Sequence, residues 1–374
     1  MKKVNLLLLA LLGLFLGACD SNDDTDGDWG KAAEFSGNNR VCAVSFTDKE
    51  GNVYIGMGYN EEVKTADKNL TDFWKFDGSN WEPLTGGNFP DELGGRYGSV
   101  AFVIGDTAYI GAGFRSSYTG DTEDRYFSDF YAYDLVKQEW IKNADGEAWT
   151  TDIKNPDSWG ENTTVDPVQC AFHSGIAFSY GGKGYVGTGQ IDGRASNMIY
   201  CFDPQTGKWT NAKFEGDSRV GASVFEIDGK IILCLGASGS DYRRDVWMFD
   251  GKWNRKRSLA DVYGKKSDDY DEIPRQYAAS FVAYDGNLLR GYIAGGTGAR
   301  NTRSCWEYRI ENDRWYEVTE FPVVMGNCVA GVGFSSKDKK YGYITVGGAS
   351  RLNATRSATW QFIPGVEEDD ENDY

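Results

Sequence analysis

Residues 219–253 read RVGASVFEIDGKIILCLGASGSDYRRDVWMFDGKW, and this stretch decides how the chain is built. Arg219 opens a small-residue run that ends in the apolar patch Val224-Phe225. Asp228-Gly229 follows, a dipeptide that readily takes the positive φ values a tight hairpin needs. A second apolar run, 231–235, stops at Gly236, and a polar loop leads to Asp245-Val246-Trp247-Met248-Phe249. Asp250-Gly251 makes another turn, and Trp253 starts a fourth run. Short strands in this order form one small antiparallel sheet. Such a sheet cannot bury both faces alone, so the pattern predicts neighbours of the same kind.

The neighbours recur along the chain. Second strands ending in a glycine turn appear as YIGMGY (54–59), YIGAGF (109–114), YVGTGQ (185–190), YIAGGTG (292–298) and ITVGGAS (344–350). Third strands are centred on Trp74, Tyr131, Tyr200, Trp247, Trp306 and Trp360, and fourth strands begin at Trp81, Trp140, Trp209, Trp253 and Trp315. A four-stranded unit repeating every ~50 residues marks a propeller blade. The glycine doublet (295–296 and 347–348), the aromatic third strand and the later tryptophan together resemble the kelch repeat. The resemblance covers essentially the whole chain after its leader and implies an all-β, six-bladed kelch-type β-propeller.

Trp29 looks like a fourth-strand tryptophan with no preceding strands, whereas nothing like a fourth strand follows Trp360. Residues 29–35 therefore are expected to complete the last blade, closing the ring and hiding a sheet edge. Links between first and second strands, and between third and fourth, are short turns. The longer links, including 60–70, 115–127, 141–169 and 254–274, fall on one face of the disc, where binding residues are expected.

Residues 1–19 read as a processing segment, with Lys2 and Lys3 ahead of an apolar run too short to span a bilayer. Leu16-Gly17-Ala18-Cys19 resembles the lipobox of bacterial lipoproteins, which implies lipidation at Cys19 and an outer-membrane lipoprotein, surface-exposed or periplasmic. Residues 20–28 form an acidic tether, 29–364 the propeller, and 365–374 an acidic tail with little reason to fold. With 40% apolar and 14% aromatic residues the chain fills a core easily. Its net charge of −17 argues against nucleic acid as a partner. Membrane contact is expected only through the lipid.

Alignment on the apolar ends of the first strands places Arg40, Arg96, Phe172, Arg219, Arg275 and Cys328 in register at the channel mouth. Kelch domains use matching first-strand arginines for acidic ligands, and the resemblance carries over to Arg40, Arg96, Arg219 and Arg275. Alternatively, each arginine pairs with a loop carboxylate such as Asp72, Asp129 or Asp245 and only ties the scaffold together. Tyr97, Tyr277, His173, Asn327 and Arg115 complete the candidate site, the tyrosines by stacking on sugar and the others by polar contact. Among the loop arginines, Arg194 and Arg243 would enlarge an anion site.

His173 is the only histidine, which excludes a multi-histidine metal centre and the copper chemistry of galactose oxidase, a propeller of this type. No phosphate-binding glycine loop opens a helix, and the remaining cysteines lack CxxC spacing. Cys42 and Cys328 lie on adjoining inner strands, the first pair to test for a disulfide, although unpaired thiols are expected. No cofactor is implied. The chain is thus expected to be a lipid-anchored binding module for an acidic or other carbohydrate, or for a protein partner. The alternative is an enzyme resembling bacterial kelch sialic-acid mutarotases, which would need an acid/base pair such as Asp121, Glu123 or Asp241 could supply.

Overall fold

The structure is a computed structural model that describes residues 27–64, 67–116, 124–155, 159, 170–259, 270–298, 302–324, 331–348 and 358–366. Strand β1 (Asp28–Lys31) precedes blade 1, which is β2 (Val44–Thr47), β3 (Val53–Gly56), β4 (Phe73–Phe76) and β5 (Trp81–Pro83). Blade 2 starts with β6 (Val100–Ile104) and β7 (Thr107–Gly111). A ribbon of β8 (Phe114–Arg115) and β9 (Arg125–Tyr126) follows, then β10 (Asp129–Asp134), β11 (Glu139–Trp140) and β12 (Thr150–Asp152). Blade 3 is β13 (Ile176–Tyr180), β14 (Lys183–Gly187), the ribbon β15 (Gln190–Ile191) and β16 (Arg194–Ala195), β17 (Ile199–Asp203) and β18 (Lys208–Asn211). Blade 4 repeats this as β19 (Ser223–Ile227), β20 (Lys230–Cys234), the ribbon β21 (Ala237–Ser238) and β22 (Asp241–Tyr242), β23 (Trp247–Phe249) and β24 (Trp253–Arg255). Blade 5 is β25 (Ala279–Asp285), β26 (Leu288–Ala294), β27 (Cys305–Arg309) and β28 (Arg314–Val318). Blade 6 is β29 (Val332–Ser335), β30 (Gly342–Thr345) and β31 (Trp360–Ile363), with β1 as its outer strand.

The ring therefore closes with the N-terminal strand, pairing Asp28 with Ile363 and Lys31 with Trp360. The pairing spans Asp28–Lys31; residues 32–35 run on as a link whose Phe35 packs against Trp74 and Trp81. Six blades result, and no α-helix occurs among the described residues.

One device fills the interior of five blades. An inner-strand phenylalanine lies directly opposite a second-strand tyrosine and stacks on it: Phe46–Tyr54, Phe102–Tyr109, Phe178–Tyr185, Phe281–Tyr292 and Phe334–Tyr343, with centroids 5.0–5.2 Å apart. Blade 4 has Ile232 opposite Phe225 instead. Three of the six fourth-strand tryptophans bind backward to the preceding blade. Trp29 donates to the Thr319 carbonyl at 3.1 Å, Trp81 to Thr359 Oγ1 at 3.1 Å and Trp209 to Thr151 Oγ1 at 3.0 Å. Each such indole is buried with its N–H satisfied, which is the arrangement a buried tryptophan requires.

The corner after each second strand places two successive residues at positive φ. They are Met57-Gly58, Ala112-Gly113, Thr188-Gly189, Leu235-Gly236, Gly295-Gly296 and Val346-Gly347. Blade 6 thus uses Val346 and Gly347, one residue before the glycine pair that the sequence suggested, and glycine fills both places only in blade 5. The second place needs glycine for a steric reason. At Gly58, with φ +92°, a Cβ would lie 2.7 Å from the Val41 carbonyl oxygen. The amide there donates to the next blade, from Gly58 to the Arg96 carbonyl and from Gly347 to the Arg40 carbonyl, both at 2.8 Å.

Candidate functional site

Second-to-third and fourth-to-first links alternate with the short turns, so they crowd one face around the channel mouth. The mouth itself is a belt of peptides. Gly98 N–H donates to the Cys42 carbonyl (2.9 Å), Ser174 to Gly98 (2.7 Å), Gly221 to Ser174 (2.9 Å) and Tyr277 to Gly221 (2.8 Å). Every one of these residues has positive φ, from 50° to 66°. Below the belt the channel narrows to cavities of about 190 and 330 Å³ that share Ser45, Ala101, Ala177 and Val224 as lining.

The arginines do not open onto this channel. Arg40, Arg96, Arg219 and Arg275 are each 0% exposed, and each guanidinium clamps three parts of its own blade. Arg40 meets Asp72 Oδ2 at 2.8 Å, the Met57 carbonyl at 3.2 Å and the Asn38 carbonyl at 3.1 Å. Arg96 grips Asp129 with two nitrogens, at 2.6 and 2.9 Å, and Asp91 at 2.5 Å. Arg219 meets Asp245 Oδ2 at 2.5 Å, and that oxygen also accepts the Trp247 indole N–H. Arg275 has no such carboxylate. It is caged by the carbonyls of Glu272, Ile273, Gly295 and Ser304 and by Ser304 Oγ at 2.7 Å.

The acidic partner sits two residues before the third-strand aromatic in blades 1, 2 and 4, and Ser304 takes that place in blade 5. Blade 3 has Phe172 with Met198 at these places, and blade 6 has Cys328 with Ala358. In these two blades both charges are absent together, which avoids a buried unpaired ion, whereas blade 5 keeps a buried arginine without the acid and satisfies it with carbonyls. Burial pushes the Asp72 and Asp245 carboxyls up, but Arg40, Arg219 and the indoles outweigh it and hold both below their ordinary value. Burial pushes the Arg275 guanidinium down to about 10. The free guanidinium edges expected for a ligand ring are therefore absent at these four positions. They brace the blades internally, and link to the neighbour through their backbone: the arginine carbonyls accept from the corner glycines and the Arg219 amide donates to the Ser196 carbonyl at 2.9 Å.

Other candidates fare differently. Arg115 is buried, with Nη1 on the Gly95 carbonyl (2.7 Å) and Nη2 on Asp67 (3.0 Å). Tyr97 and His173 are buried in one aromatic cluster with Tyr59, Phe114 and Tyr126. The His173 ring stacks on Phe114 at 5.0 Å and its Nδ1 lies 3.0 Å from Ser174 Oγ. Tyr277 is partly exposed at the belt, as are Cys42 and Ser174, and is held at φ +58° where blades 2 and 4 have Gly98 and Gly221. Its ring lies over Gly221, close enough that a Cβ there would meet it at 2.8 Å. Asn327, Cys328, Asp121, Glu123 and Cys19 lie outside the described residues. Cys201, Cys234 and Cys305 are free thiols within strands.

The three ribbons β8–β9, β15–β16 and β21–β22 were not foreseen. They stand in consecutive blades on the long-loop face and form a rim beside the mouth. The Gly193 amide lies beside the Tyr126 hydroxyl, bringing one ribbon against the next, and Tyr242 donates to the Gly298 carbonyl at 2.9 Å. Arg243 is held by Asp241 (2.6 Å) and the Ser218 carbonyl (2.7 Å), while Arg194 is exposed at its ribbon turn. The signal for one ribbon was present in Asp192-Gly193, a hairpin dipeptide with φ +43° and +77°. Among the described residues, no group of three or more His, Cys, Asp or Glu is placed to hold a metal ion.

No family model matches the chain, and no curated protein matches it. A solved structure described as that of YjhT is similar over 88% of this chain and 95% of its own, with 16% sequence identity and a TM-score of 0.59. At that identity the likeness speaks for architecture alone, and with the blade order it establishes a six-bladed β-propeller.

Proposed function

We propose that the protein is a lipid-anchored kelch-type propeller that binds a carbohydrate, acidic in class, on its long-loop face at the bacterial outer membrane. Tyr277 carries this reading. A bulky residue at positive φ costs roughly 1–2 kcal/mol relative to glycine, and strain of this kind is retained where a side chain must be presented. Its partly exposed ring on the long-loop face suits stacking on a sugar, and the exposed Arg194 on the rim suits a carboxylate. Lipidation rests on the sequence around Cys19.

Binding is preferred over sugar-acid mutarotation because the two described candidates for acid/base work are engaged elsewhere. His173 is packed against Phe114, and Asp241 is tied to Arg243. A glycan array with the soluble chain from Asp20 onward tests the proposal, compared with the Tyr277→Asn variant. Asparagine tolerates positive φ, so the variant should keep or raise the melting temperature while binding falls at least tenfold. Binding of an acidic glycan that is indifferent to Tyr277→Asn would place the ligand elsewhere. An array with no signal would refute carbohydrate binding. Cys19→Ala should release the protein from the membrane fraction without changing its fold.

A further inference from the structure

The six blades repeat one position with different residues. Directly opposite the second-strand Tyr54, Tyr109, Tyr185, Ile232, Tyr292 and Tyr343 stand Lys75, Ala132, Cys201, Met248, Glu307 and Gln361 on the third strands. Lys75 lies over the Tyr54 ring and Glu307 accepts from the Tyr292 hydroxyl, and Met248 and Gln361 are long side chains at the same place; alanine and cysteine are short. Blades 2 and 3 are therefore each left with a slot at the junction with the next blade.

In blade 2 the chain fills its own slot. Between β11 and β12 a short excursion returns through Trp149, whose ring packs on Tyr109 at 5.9 Å and on Phe202 of blade 3 at 6.4 Å. The walls of the blade 3 slot have nearly the same geometry. Tyr185 and Phe249 are 5.1 Å apart at 60°, against 5.2 Å and 58° for Tyr109 and Phe202. No described side chain enters it, because Cys201 pairs with Thr210 on an uninterrupted β18. The result is a groove of about 450 Å³ lined by Tyr185, Cys201, Phe249 and Trp253, with Lys213 and Lys252 exposed on its rim against the single acid Glu215.

We propose that this groove is a docking site for an aromatic side chain of a partner polypeptide, flanked by carboxylates. Trp149 shows the kind of ring the walls accept and that an extended chain can deliver it. The lysines select the flanking charge, so a basic or neutral segment gains less. The groove lies on the flank between blades 3 and 4, distinct from the channel mouth, and the inference is independent of the carbohydrate reading.

Isothermal titration calorimetry with short peptides on the intact protein tests it, using acetyl-Asp-Trp-Asp-amide, its leucine counterpart and acetyl-Lys-Trp-Lys-amide. The first should bind saturably and at least tenfold more tightly than the other two. It should also slow alkylation of Cys201 by iodoacetamide, which locates the binding. Cys201→Met copies Met248 and fills the slot, so affinity should fall at least tenfold with the melting temperature kept. Thr210→Trp covers the same slot from β18 and should act likewise. Replacing Lys213 and Lys252 together by Glu should invert the preference between the acidic and basic peptides. Equal binding of the leucine peptide, or affinity unchanged in both filling variants, would overturn the proposal. Free N-acetyltryptophan binding as tightly as the acidic peptide would overturn its polypeptide part in favour of a small aromatic acid.

Discussion

Removing the Asp245 carboxylate should expose what the arginine clamps contribute. Asp245 is 7% exposed, and its Oδ2 takes both Arg219 Nη2 and the Trp247 indole at 2.5 Å. In Asp245→Ala the fully buried Arg219 keeps only the carbonyls of Asp217 at 3.0 Å and Leu235 at 3.3 Å. Breaking one side of a buried ion pair costs about 3–5 kcal/mol. At about 2 °C per kcal/mol for a domain of this size, the melting temperature should drop by about 6–10 °C. Removing both charges should cost less than removing one. Arg219→Phe with Asp245→Met copies blade 3, where Phe172 is fully buried beside Met198. That double variant should recover at least half of the loss. Urea titrations at fixed pH, with scanning calorimetry, give both numbers. A single variant losing under 1 kcal/mol, or a double variant worse than the single, would refute the clamp and return Arg219 to the candidate ligand groups.

Blade 5 offers the converse, since Ser304 stands where the other clamps have aspartate. Ser304→Asp should stabilise by about 1–2 kcal/mol in urea, a charge-assisted bond to Arg275 less the cost of burying the carboxylate; destabilisation would mean that the carbonyl cage already saturates that guanidinium. Asp72 and Asp245 titrate below their ordinary value in the fold. The unfolded chain therefore binds protons first, so their contribution is complete above pH 4 and is lost as pH falls further. Asp245→Ser should flatten that acid limb, and a limb of unchanged slope would assign acid unfolding to other carboxyls. Trp29→Ala removes an indole that is 1% exposed and packed on Phe281, Phe321 and Phe362, and should cost about 3–5 kcal/mol by opening the blade 6 seam; hydrogen exchange should rise first in β1 and β31.

Blade number and closure were legible because each rests on large residues with a fixed period. A tryptophan without its strands at one end and strands without a tryptophan at the other have one economical solution. Which face carries the long links followed from strand parity alone. The arginines show where such reasoning stops. Register placed them correctly along the chain, but register says nothing of whether a guanidinium turns outward into water or inward to a carboxylate. Asp72, Asp129 and Asp245 were visible as possible partners, and the decisive clue lay in the blades lacking arginine, which also lack the acid. The glycine corner of blade 6 was misplaced by one residue because Val346 accepts a positive φ of 53° that side chains normally avoid. Tyr277 is the same exception at the mouth, and its conformation could not be read from its neighbours.

The position of the chain ends bears on how the proposed site would be displayed. Third strands run from the long-loop face toward the short turns, so Ile363 lies at the short-turn end of β31. Asp28 pairs with it, and Gly27 donates to the Val366 carbonyl at 2.8 Å. Both ends of the described propeller thus leave from the face opposite the belt and the ribbons. From Gly27 back to Cys19 are eight residues, which reach at most about 28 Å when fully extended. An anchor at Cys19 would hold the short-turn face within that distance of the bilayer. It would turn Tyr277 and the three ribbons outward, away from the lipid headgroups, where a carbohydrate in the surrounding medium meets them without displacing the membrane.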